Sequence, residues 1–86
     1  MIKITYTNGD VQHVNVTGDF FTVTLAEKNG NKVKMTPIEK AEDLAFDLAI
    51  VRETEVAAVA LFYPNNPRPK VRQFKPVDIP EKEVKA

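Results

Sequence analysis

His13 is the single imidazole of this 86-residue chain, and there is no cysteine. One chain can therefore build no metal site that uses two or more imidazoles, and with no thiol it has no thiolate chemistry. As a general base His13 would need a nucleophile and an orienting partner, and the adjacent strand offers it only Thr5 and Lys3. A position on the polar face of a strand accounts for it. Glu39, Asp43 and Asp47 recur at i, i+4 and i+8 and make an acidic ridge. Carboxylates set side by side can do acid–base work or hold a hard cation, but both roles need convergent ligands in a cleft. A ridge on a convex helix has no cleft, and a solvated face explains it. The three glycines all fall in turns, and there is no phosphate loop, dinucleotide fingerprint, EF-hand, zincin or nucleophile elbow. The expectation is a protein that is not an enzyme and uses no cofactor or metal.

The residues that remain suggest contact rather than reaction. Twelve basic and twelve acidic side chains cancel, so no global field favours nucleic acid, an anionic membrane or an acidic substrate. Their distribution is uneven. Residues 37–56 carry six acids and two bases, whereas residues 64–76 carry Arg68, Lys70, Arg72 and Lys75 and no acid. A negative helix therefore faces a positive arm, and the arm is expected to dock on an acidic surface, such as the Glu39/Asp43/Asp47 ridge of another copy or a partner's acidic patch. Two short motifs add little. Asn15-Val16-Thr17 matches a glycosylation sequon, and Pro64-Asn65-Asn66-Pro67 matches the minimal PxxP pattern without the usual flanking base.

These side chains must be positioned by the stretch from Thr36 to Tyr63. Thr36-Pro37-Ile38-Glu39 reads as a helix start: a capping hydroxyl, a proline with no amide to lose, and a carboxylate that can reach back. At about 100° per residue, Ile38, Ala41, Leu44, Ala45, Leu48, Ala49 and Val51 fall on one side. Arg52 would return to the middle of that apolar face, so the helix should end there. Phe46 and Ile50 lie instead on the far side, one turn apart among the acids. Val56 to Tyr63 is apolar throughout, as an interior strand must be.

Two hairpins precede this unit. Ile2, Ile4 and Tyr6 alternate with polar residues, and a three-residue loop Thr7-Asn8-Gly9 pairs Ile2 with Val14 and keeps the apolar face together. The same logic at Lys28-Asn29-Gly30 sets Leu25 opposite Val33 and Val23 opposite Met35, in a strand that begins at Phe21. After Tyr63, three prolines in six residues exclude helix and central strand, Lys70–Lys75 can pair only as an edge strand, and residues 81–86 read as a solvated end.

The expected fold is therefore α+β: an antiparallel meander of two hairpins, one amphipathic helix on the sheet, a fifth strand, and an extended proline-rich arm. Residues 1–63 form the domain and residues 64–86 the basic arm or edge strand. With no signal-peptide h-region and no apolar run longer than eight residues, a cytoplasmic protein is expected. The function expected is a protein–protein interaction module, a small assembly subunit or an inhibitor-like accessory protein. Its partner is another protein or a second copy, met by Phe46 and Ile50 within the rim of Glu39, Asp43 and Asp47, and by Arg68, Lys70, Arg72, Phe74 and Lys75 of the arm. Nucleic-acid binding through that arm is the alternative.

Overall fold

The computed structural model describes residues 1–77, and the solvated end expected for residues 81–86 lies outside them. The fold is α+β. Six strands run β1 Ile2–Tyr6, β2 Val11–Val14, β3 Thr24–Lys28, β4 Asn31–Met35, β5 Val56–Leu61 and β6 Lys70–Gln73, and the helix α1, Pro37–Val51, lies between β4 and β5. The main sheet has the order β2-β1-β5-β6 with every pair antiparallel, and β3-β4 stands apart as a second sheet. β5 sits between β1 and β6, the place its unbroken apolar sequence demands.

The first hairpin has the expected register. Ile2 pairs with Val14 and Ile4 with Gln12, and Gly9 takes φ 96°, a left-handed conformation that glycine adopts at no steric cost. The second hairpin differs by one residue. Lys28 pairs with Asn31 across a two-residue Asn29-Gly30 turn with φ 54° and 80°, so Leu25 faces Lys34 and Ala26 faces Val33. Burial of one apolar face is what fixes register in a sheet. Here β3 and β4 are exposed along most of their length, so the mirror-image turn that Asn-Gly prefers decides instead. The expected strand start at Phe21 is also displaced. Gly18–Phe21 forms a 3₁₀ turn, and both Phe20 and Phe21 pack against the core, Phe21 with its ring 5.4 Å from that of Tyr63.

The core lies between α1 and one face of the main sheet. Ile2, Ile4 and Tyr6 of β1 meet Val56, Val59 and Leu61 of β5, and Ile38, Ala41, Ala45 and Ala49 cover them. The helix surface against the sheet is thus mostly alanine. Among the described residues no helix covers the sheet's other face: Lys3, Val11, His13, Val71 and Gln73 are exposed there, around half-buried Thr5, Ala58 and Ala60. His13 sits beside Lys3 on that face.

Both helix ends follow from local chemistry. Glu39 Oε1 accepts hydrogen bonds from the Thr36 amide at 2.9 Å and the Thr36 hydroxyl at 3.1 Å, completing the capping box behind Pro37. These two bonds, the amide first, hold the Glu39 carboxyl below its ordinary pKa. At the other end Arg52 is the C-cap, and the amides of Glu53 and Thr54 return to the carbonyls of Ile50 and Ala49. This is a Schellman closure, and its left-handed residue is Glu53, at φ 57°, where glycine is usual. A left-handed L-residue costs about 1–2 kcal/mol. Glu53→Gly should therefore stabilise the fold by about 1 kcal/mol in urea denaturation, and an unchanged or lowered midpoint would contradict this.

Candidate functional site

The candidate face is built where α1 meets the end of β6. Between Thr5 and Tyr6 the β1–β5 register shifts, and Ala57 is the extra residue of a bulge. Its carbonyl accepts the amides of both Phe74, at 2.8 Å, and Lys75, at 3.1 Å. That anchorage brings the arm back along the helix, and Phe74 meets Phe46 edge-on with ring centroids 5.2 Å apart.

The arm reaches Phe46 without covering it. Phe46 remains 42% exposed, Phe74 40% and Ile50, one turn on, 74%. Three large apolar side chains from two elements thus form one uncovered patch, and the aromatic pair holds its two halves together. Phe74 was expected to act from the arm and Phe46 from the helix. An arm folded back over Phe46 and Ile50 within one chain is the sequence's alternative to an open interface; the arm does return to Phe46, but the Ala57 bulge that brings it there leaves no sign among alternating apolar residues.

The charged residues near this patch divide between those paired within the chain and those that are not. Arg72 donates to Glu42 at 2.8 Å, and this hydrogen bond and charge raise the guanidinium pKa further. Lys75 pairs with Glu55 at 2.6 Å. These two arm cations therefore meet acids of their own chain, neither of them in the ridge. Within the ridge Glu39 is the helix cap, Asp43 pairs with Lys28 at 3.4 Å, and Asp47 has no cation within the 4.0 Å ion-pair limit among the described residues. Exposed pairs contribute only ~0–1 kcal/mol each, so they steer the arm more than they hold it.

Arg68 and Lys70 lie elsewhere. With Tyr63 and the Pro64–Asn66 turn they border an open hollow of about 630 Å³, and the Asn66 side chain accepts the Arg68 amide at 3.0 Å. The ten residues singled out in the sequence therefore form two neighbourhoods: Phe46, Ile50, Phe74, Asp43, Asp47, Arg72 and Lys75 near the helix, and Arg68 and Lys70 at the proline loop, with Glu39 spent on the cap.

Sequence reading passed over the solvent face of β3 and β4. Val23 and Leu25 are 56% and 66% exposed, beside Lys32 and Lys34. The signal was the Asn-Gly pair, which in a two-residue turn puts Leu25 opposite a lysine instead of a valine.

Among the described residues, no group of three or more His, Cys, Asp or Glu side chains gathers as a metal site, and no helix is long and apolar enough to cross a membrane. Comparison of the chain with family models, with curated proteins and with solved structures finds no match.

Proposed function

We propose that this protein is a non-enzymatic protein–protein interaction module of a reducing compartment, with the Phe46/Ile50/Phe74 patch as its anchor. The observation that carries this reading is an aromatic pair in edge contact at 5.2 Å whose two rings each stay about two-fifths exposed, beside an isoleucine that is three-quarters exposed. Core aromatics bury their rings, whereas interface anchors are held rigid by a neighbour and stay open on one side. Asp43 and Asp47 flank the patch and select partners by charge. The four arm cations favour a protein partner over nucleic acid. Two of them are taken up by Glu42 and Glu55, and Phe74 is the arm's single aromatic, with no row of rings for successive bases to stack on.

The test is the double variant Phe46→Glu with Ile50→Ser. Loss of the aromatic contact should lower folding stability by about 0.5–1.5 kcal/mol, while self-association or complex formation, read by sedimentation, should be lost. A fall of several kcal/mol in chemical denaturation would place the pair in the core and overturn the reading, because a charge buried there is costly.

A further inference from the structure

The β3-β4 hairpin has one face toward its own helix and one face that, among the described residues, has nothing on it. Alternation along the strands puts Ala26, Lys28 and buried Met35 on the first face, and from it Lys28 reaches Asp43 at 3.4 Å. The second face carries Leu25 opposite Lys34 and Glu27 opposite Lys32, with Val23 just before the strand. A two-stranded ribbon is marginal in water unless a further strand or a helix covers its apolar side. Its own helix cannot supply that cover, because the hairpin already turns its other face to it.

The helix offers the complement. Phe46 and Ile50 are apolar and open, and Asp43 and Asp47 are acidic, against Val23 and Leu25, which are apolar and open, and Lys32 and Lys34, which are basic. Lys32, Lys34 and Asp47 have no opposite charge within the 4.0 Å ion-pair limit among the described residues. Resting on the reading of the helix face as an interface, we propose that its occupant is a second copy of this chain. The solvent face of one copy's hairpin docks on the Phe46/Ile50 face of the other, and the same contact is made in reverse across a twofold axis. Because the hairpin tip is tied to the helix by the Lys28–Asp43 pair, the two complementary surfaces are neighbours, and both halves can be engaged at once in a closed dimer. A neutral chain that separates its charges onto two adjoining apolar surfaces needs no other partner to match them.

A charge swap tests this with the full chain. Sedimentation equilibrium from micromolar to millimolar concentration should show a dimer that weakens with added salt. Lys32→Glu with Lys34→Glu should weaken self-association by about tenfold or more, and so should Asp43→Lys with Asp47→Lys. At concentrations too low for the parent to dimerise, thermal unfolding of Lys32→Glu/Lys34→Glu should match that of the parent, and Asp43→Lys/Asp47→Lys should fall only slightly below it through loss of the exposed Lys28–Asp43 pair, which keeps folding apart from association. An equimolar mixture of the two should regain the dimer, because each interface then joins opposite charges again. A parent protein that stays monomeric throughout, or a mixture that does not recover, overturns the second-copy assignment. That failure is distinct from failure of the underlying reading, which is judged by the folding stability of the Phe46→Glu/Ile50→Ser variant.

Discussion

Tyr6→Ala should come close to unfolding the protein, with a loss of about 3–5 kcal/mol set against a total that for a domain of this size is about 4–13 kcal/mol. Tyr6 is fully buried, the largest such side chain of the core. Three neighbours fix it. Its hydroxyl donates to Gln12 Oε1 at 2.7 Å, the Arg52 guanidinium lies 4.8 Å from its ring centre, and Arg52 is held in turn by Asp10 at 3.2 Å. Burial pushes the phenol pKa up, and the Arg52 charge opposes that shift in part. Tyr6→Phe separates ring from hydroxyl. Gln12 is only half-buried and can turn to water, so this variant should cost no more than about 1 kcal/mol. Urea denaturation of the two variants checks the ratio. Equal small losses would mean that the ring does not hold the end of the core.

Deleting residues 67–86 should lower stability by roughly 3 kcal/mol, summing main-chain bonds of about 0.5–1.5 kcal/mol each with an aromatic pair of similar size. It should also make the protein aggregate. Read as sequence, residues 1–63 form a domain that stands without its arm. The β5–β6 ladder changes that expectation: Ala58 pairs with Gln73 and Leu61 with Lys70, so β6 is the strand that closes the sheet on this side. Without it, Val56–Leu61 becomes an edge with no charge and no proline, the kind of segment that recruits further strands. Light scattering during refolding, with the full chain as reference, reads this directly. A truncated protein that refolds to a clear solution with unchanged stability would show that β6 is dispensable.

Much of the architecture was legible because several signals agreed at each place. Thr36, Pro37 and Glu39 mark one helix start by three separate mechanisms, and Arg52 marks its end by falling where an apolar residue belongs. The first hairpin was readable because Ile2, Ile4 and Tyr6 must share a buried face, which leaves one register open. The second was not, because Val23, Leu25 and Val33 are exposed and no burial distinguishes its registers, so the turn decides. The division into two sheets was hidden for the same reason: alternation shows that a strand has two faces, not which strand it adjoins. At the candidate site, Phe46 and Ile50 stood out by falling on the wrong side of the helix. The Phe74 contact and the partners of Arg72 and Lys75 depend on the bulge at Ala57 and on the path of the arm, which are tertiary and leave no local pattern.

The alanines beneath the helix have a consequence for the surface above it. Ala41, Ala45 and Ala49 occupy the line of contact with the sheet and are almost wholly buried, so α1 rides low over β1 and β5, with Ile38 at its start and Leu44 and Leu48 packing in from the flank. Rolling the helix about its axis by one residue would drive Glu42 or Leu44 into a gap shaped for a methyl group, a steric misfit with no cheap relaxation. The azimuth of the helix is thereby keyed from inside, and with it the direction in which Phe46 and Ile50 point. In the proposed interface a docking chain would meet side chains already aimed, with little orientational entropy left to lose on contact.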